Sequence, residues 1–254
     1  MIGMPALIEF DSFKENAELC HKLGLDFIEI NMNLPLYSHK IDVEEIKKYL
    51  KLYDLKLTLH LSESFDPFVL DPIYRQAALD SFNSALEIAK NLGVKLLNMH
   101  MSKGIYFTLP DGKLLLNKKF HHEYLTYVQE FKSLVESSDI ILCIENTGIH
   151  DLDFIQTATD ILLEADNIFL TYDIGHDITS GYKDKAYFDL RRDKICHYHI
   201  HDATTSHNHL ELYTGDLDID GYISQAKNSG ASCVIEVKTA RALTQSVEKL
   251  KLRA

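Results

Sequence analysis

The chain has 254 residues, 46% of them hydrophobic, which suits one sizeable buried core and argues against a disordered polypeptide. Its 38 acidic and 26 basic side chains leave a net charge of −12, which repels a phosphate backbone and weighs against nucleic acid as a partner unless a local basic patch or metals compensate. No apolar run approaches membrane-spanning length, no basic leader-like region opens the chain, and Cys20, Cys143, Cys196 and Cys233 form no CxxC pair, so a reduced, cytoplasmic protein is expected.

Short apolar runs alternate with longer amphipathic ones. Ala6–Phe10 reads as a first strand and Phe13–Leu23 as a helix closed by Gly24. Phe27–Asn31 is the second strand, followed by a helix over Val43–Leu52 with Asp42 as its N-cap. Lys56–His60 is the third strand. Pro72–Leu92 is a long helix, with Asp71 as cap, Pro72 in its first turn and Gly93 at its end. Val94–His100 is the fourth strand. Gly104–Leu116 is broken by Pro110-Asp111-Gly112, a turn signal between β-prone runs, and reads as a small hairpin insertion. Helices over Phe120–Ser137 and Leu152–Glu164 then alternate with strands five (Ile140–Glu145) and six (Ile168–Asp173). A short helix over Lys185–Leu190 precedes strand seven, Ile195–His201. Ile219–Asn228 is helical, Cys233–Glu236 is strand eight, and Leu243–Leu250 is the last helix.

Eight strands, nearly all separated by helices, imply parallel β/α units in an α/β chain. Eight such units in this length predict a single (β/α)8 TIM barrel over residues 1–254, with the hairpin after strand four. A doubly wound open sheet is the alternative, but no GxGxxG follows the first strand to mark a dinucleotide site.

In such barrels the active site lies at the C-terminal ends of the strands. Strand two closes on Glu29, Asn31 and Asn33, strand three on His60 with Glu63 beyond, and strand four on His100. Strand five closes on Glu145 and strand six on Asp173, with His176 three residues later. Strand seven carries His197, His199, His201 and Asp202, then His207 and His209, and strand eight ends at Glu236 with Lys238 beyond. Residues two apart share a face, so each carboxylate sits at the mouth above small or apolar interior residues. Several carboxylates there repel one another unless a divalent cation relieves them. His121 and His122 begin a helix and are expected not to be ligands.

The ordered set Leu97-Asn98-Met99-His100, Ile144-Glu145-Asn146-Thr147, Tyr172-Asp173-Ile174-Gly175-His176, His199-Ile200-His201-Asp202 and Ile235-Glu236-Val237-Lys238 resembles the xylose isomerase-like barrel superfamily. That superfamily holds sugar and sugar-phosphate isomerases and epimerases, inosose dehydratases and endonuclease IV-type abasic-site endonucleases. The resemblance implies Glu145, Asp173, His199 and Glu236 as ligands of a main metal, and His60 and His100, with Glu145 bridging, as a second site of the endonuclease kind. His176, His207 and His209 fall where that branch holds a third metal, although the pattern there has Asp in place of His207. The chain also reads His100-Met101-Ser102 where that branch has His-Pro-Gly, and Leu217 where a second glycine should follow Gly215. The substrate-binding Arg of the epimerase branch falls at Thr205.

The expectation is therefore an isomerase or epimerase of a sugar or sugar phosphate that works through an enediolate, with one to three divalent ions (Mn, Mg, Co or Zn). Glu145 and Glu236 exchange protons, His176 bonds the reacting oxygen, and Asn31, Asn33, His201 and Lys238 bind substrate. The alternatives are an endonuclease IV-like phosphodiesterase and a non-catalytic metal-binding barrel.

Overall fold

The computed structural model describes residues 1–38 and 41–253. Ten strands run in chain order: β1 (Ile2–Pro5), β2 (Phe27–Asn31), β3 (Lys56–His60), β4 (Leu96–His100), β5 (Tyr106–Leu109), β6 (Gly112–Leu115), β7 (Ile141–Glu145), β8 (Ile168–Asp173), β9 (Ile195–Ile200) and β10 (Ser232–Ile235). The helices are α1 (Phe13–Leu23), α2 (Val43–Tyr53), α3 (Pro72–Leu92), α4 (Leu116–Lys119), α5 (His121–Glu136), α6 (Asp153–Leu162), α7 (Ile174–Thr179), α8 (Lys185–Asp189), α9 (Ile219–Ser229) and α10 (Ala240–Lys251). All strands but β5 and β6 form a closed parallel barrel in the order β1-β2-β3-β4-β7-β8-β9-β10, with β10 paired back onto β1. The expected eight-stranded barrel is what forms, and β5 and β6 are the antiparallel hairpin after its fourth strand.

The helix ends follow their side chains. The Asp71 carboxylate accepts from the Ile73 and Tyr74 amides above Pro72, and Ser12, Asp42 and Thr239 cap α1, α2 and α10 in the same way. His121 and His122 open α5, and both are exposed.

One strand departs from expectation. The first is Ile2–Pro5, not Ala6–Phe10. Gly and Pro disguised it, since both are depleted in strands. Gly3 is there because a Cβ would strike the Phe27 ring and carbonyl, 2.6 Å away. The apolar run beyond it leaves the sheet: the Leu7 amide donates to buried Asn16 Oδ1 at 2.8 Å, and Ile8 is 75% exposed. Short α7 was also unexpected; the Asp173 side chain caps it by accepting from the His176 amide at 2.6 Å.

Candidate metal centre and active site

The parallel register places the strand ends side by side. His100 pairs with Glu145, Glu145 with Thr171, Asp173 with His199 and His199 with Val234, two residues before Glu236. Alternation turns Glu145, Asp173, His199 and Glu236 into the barrel mouth, where one ligand atom from each lies within 4.8 Å of the others. His199 Nδ1 is 3.2 Å from Glu145 Oε2, 3.3 Å from Glu236 Oε2 and 3.9 Å from Asp173 Oδ2. All four residues are buried.

Two observations test whether these residues fit a cation. Both ring nitrogens of His199, Nε2 of His100 and Oε2 of Glu236 are buried without an aligned hydrogen-bond partner, an arrangement that costs free energy when left unrelieved. The carboxylates are also held ionised. Burial alone would raise Glu145 and Glu236, but His199 and its cationic neighbours outweigh it and drive both well below the usual carboxylate range. For Glu145 the helpers are His100 and His176; for Glu236 the helper is Lys238. A divalent cation supplies the same relief from the centre of the cluster, so the residues fit one.

A second group shares Glu145. His60 Nε2 and His100 Nε2 stand 3.2 and 3.3 Å from Glu145 Oε2, while His60 Nδ1 donates to the Leu61 carbonyl at 2.8 Å and His100 Nδ1 meets Glu63 at 2.6 Å. Ligand atoms of His60, His100 and Glu145 lie within 4.8 Å of one another. Asn98, which the sequence reading passed over, also donates to Glu145 Oε2. Burial opposes a charge on His100, yet Glu145 and Glu63 push its pKa up to about 10.

The remaining histidines divide. His176 Nδ1 donates to the Asn146 carbonyl at 3.1 Å and lies 3.1 Å from Glu145 Oε1. Burial works against its charged form, but Asp173 and Glu145 raise its pKa to about 9. His209, at φ +52°, points Nδ1 at the Glu236 carbonyl, and burial pushes its pKa down to about 4. His201, His209 and Glu236 form a third compact group.

His207 does not join it. That side chain is exposed and bonds Ser206 Oγ at 2.9 Å, because the turn at Thr204–His207 carries it outward. His201 is not placed to bind substrate either. It is fully buried, its Nε2 donates to both Asp173 oxygens at 3.0 and 3.1 Å, and its Nδ1 accepts from the His209 amide at 3.1 Å. It braces Asp173, in a space that exists because residue 175 is Gly; a Cβ there would collide with the His201 ring.

Beside the cluster opens a cavity of about 240 Å³, lined by the apolar Pro5, Ala6, Leu7, Ile8 and Leu34 and by the polar Asn31, Asn33, His60, Glu236 and Lys238. Asn31 Oδ1 accepts from the Asn33 amide at 2.8 Å, and Asn33 Oδ1 accepts from Ser62 Oγ and the Glu63 amide at 2.7 and 3.0 Å. The oxygens are thus committed within the protein, and both residues line the cavity. Lys238 Nζ is 2.5 Å from Glu236 Oε1. Glu29 also borders the cavity, and the sequence reading gave it no role. The signal was a carboxylate in the middle of the apolar run Phe27-Ile28-Glu29-Ile30.

A closed parallel barrel with acidic and histidine side chains gathered at one mouth defines an enzyme-like α/β barrel with a metal-competent centre. The chain belongs to the xylose isomerase-like TIM barrel family, whose sequence profile matches residues 17–252. It is similar to an inosose isomerase of Bacillus velezensis, 23% identical over 248 residues that cover 92% of this chain and 85% of that one. Among solved structures, a D-tagatose 3-epimerase-like protein superposes with a TM-score of 0.78 at 20% identity, covering 99% of this chain and 96% of the other. The IolI protein with a bound zinc atom superposes with a TM-score of 0.73 at 20% identity over the same shares.

Proposed function

We propose that this chain is a divalent-metal-dependent isomerase or epimerase acting on an uncharged keto-sugar or inosose-type polyol. The observation that carries the reading is the buried cluster of Glu145, Asp173, His199 and Glu236 beside a cavity lined by both apolar and polar residues. The inosose isomerase relative and the family membership support the same chemistry. Glu145, Asp173, His199 and Glu236 would hold the ion, with His60 and His100 available to a second one through Glu145. When bound, the ion supplies Lewis-acid polarisation of a carbonyl and its neighbouring hydroxyl, easing loss of the α-proton toward an enediolate.

The chain's own residues do the rest. Glu236 borders the cavity and has Oε2 unpartnered, so it is the group placed to take the α-proton, while Lys238 steadies Oε1. Glu145 serves the opposite face. His176, charged near neutrality and with Nδ1 committed to Asn146, offers its other nitrogen as a donor to the reacting oxygen. Asn31 and Asn33 donate to substrate hydroxyls, and the wall from Pro5 to Ile8 covers the carbon face of the ring. Lys238 is the one cation among the described lining residues and is already paired, which favours a neutral polyol over a phosphate ester.

The His60–His100–Glu145 group favours a second reading, metal-dependent phosphodiester hydrolysis at abasic sites, in which these residues would hold a further ion that would supply water activation and charge neutralisation. One paired assay separates the two. Deuterium uptake from heavy water is followed across ketoses, their phosphates and inososes with added Mn or Mg, beside cleavage of an abasic oligonucleotide. Exchange with a neutral substrate, lost in Glu236→Gln, is expected. Cleavage without any exchange overturns the isomerase reading.

A further inference from the structure

We propose that Glu29 is a positioning residue for His199, whose carboxylate keeps the imidazole proton on Nε2 and so leaves the Nδ1 lone pair for the divalent cation. The inference rests on the metal-site reading above.

Glu29 lies on β2, 3% exposed, inside the barrel beneath the cluster. Ionised, it only accepts. Its Oε2 takes the hydroxyl of Thr58 on β3 at 3.0 Å and Nε2 of His197 on β9 at 3.2 Å. His197 therefore carries its proton on Nε2, and its Nδ1 accepts from Ser232 Oγ of β10 at 2.6 Å. Oε1 is left facing His199 Nε2 at 2.9 Å. The oxygen lies off the ring's N–H axis, so the contact is an ion pair and not an aligned hydrogen bond. The proton is placed all the same, because two lone pairs at that distance would repel. To bind a cation the imidazolium must give up one proton, and with the other kept on Nε2 the opposite nitrogen is the ligand. That nitrogen is the one 3.2 and 3.3 Å from Glu145 and Glu236.

Two other roles for Glu29 fit less well. It borders the cavity, but both its oxygens are already engaged within the protein, so a substrate hydroxyl would have to displace an existing contact. As a purely structural ion pair it would be a poor choice, because a fourth buried carboxylate beneath three others adds repulsion that an apolar or amide side chain avoids. Four strands contribute to holding it there: β2, β3, β9 and β10.

The test measures zinc affinity of the metal-stripped protein by competition with a chromogenic chelator. It compares wild type, Glu29→Gln and the Glu145→Ala, Glu236→Ala pair, with thermal melting of each metal-free form as the folding control. Glu29→Gln is expected to bind zinc about 10–100-fold more weakly. In parallel, 15N spectra of histidine-labelled, zinc-loaded wild type are expected to show His199 protonated on Nε2 and coordinated through Nδ1. These spectra decide the matter without a variant should Glu29→Gln fail to fold. Zinc held through Nε2, or unchanged affinity in a folded Glu29→Gln, overturns the role of Glu29. Retained zinc in the Glu145→Ala, Glu236→Ala pair overturns the metal-site reading itself.

Discussion

Asp202 shows how far one buried carboxylate reaches. Read in sequence, it closes a histidine-rich strand and could pass for a ligand. In the fold its Oδ1 accepts from the Ala203 and Leu217 amides at 2.9 and 3.2 Å, and its Oδ2 from Thr214 and Gly215 at 2.9 and 2.8 Å. It is spent on the loop that carries His209 to the mouth. Asp202→Asn puts an amide N–H₂ against backbone donors, and should lower the unfolding free energy in urea by about 2–4 kcal/mol. An unchanged transition midpoint would contradict this role. The neighbouring histidines carry the same lesson. His199, His201 and His207 are alike as letters, yet one sits at the centre of the cluster, one braces Asp173 from behind and one faces solvent. The strand period separates none of them; partners contributed by other strands and turns do.

Among the elements, the connection after β7 depends on a staple from α8. Asp184, at the N-terminus of α8, accepts from the amides of Gly148 at 2.5 Å and His150 at 2.7 Å, fixing the turn just beyond Glu145. Burial works against its charge, but the nearby His150 ring and the two amides together hold its carboxyl below the usual range. A carboxyl depressed in the folded state contributes stability above its unfolded pKa of about 3.9, and that contribution is lost as pH falls through the lower folded value. Asp184→Ala should therefore destabilise at pH 7 by about 2–4 kcal/mol, from one buried and one half-buried amide left unpaired. Its stability should also fall less steeply than wild type below pH 4. Parallel acid limbs in pH-dependent urea unfolding would refute the assignment. The element boundaries themselves were largely readable, because caps and period agree along most helices; β1 was not, since Gly3 and Pro5 are chosen by packing against β2 and by chain direction, not by strand propensity.

For the whole molecule, the cluster couples folding to metal. Three carboxylates and one imidazole buried together are held apart only by charge balance, so a cation that binds the folded state alone raises stability by mass action. At a free concentration of a hundred times its Kd the gain is about 2.7 kcal/mol. For a chain of this size that is a rise in melting temperature of roughly 5–11 °C. Zinc or manganese should give this rise in wild type, and chelator should reverse it. The Glu145→Ala, Glu236→Ala protein should not respond; an equal rise there would remove the cluster from consideration. The net charge of −12 predicts a second molecular property, weak affinity for intact duplex DNA at physiological salt. Nanomolar, steeply salt-dependent binding in a gel-shift titration would shift the reading toward the phosphodiesterase.

The sequence by itself determined the barrel and the inventory at its mouth. Eight strand-like runs separated by amphipathic ones leave few topologies, and a two-residue period is enough to say that Glu145, Asp173, His199 and Glu236 end their strands on the inner face. Only the tertiary structure decided which of the thirteen histidines meet a carboxylate, because those contacts join segments far apart in the chain. Glu29 reaches His199 from β2, His60 and His100 reach Glu145 from β3 and β4, and Gly175 admits the His201 ring from β9. Local propensity and spacing carry no information about a partner that is distant along the chain; closure of the barrel brings it within about 3 Å, the ordinary hydrogen-bond distance.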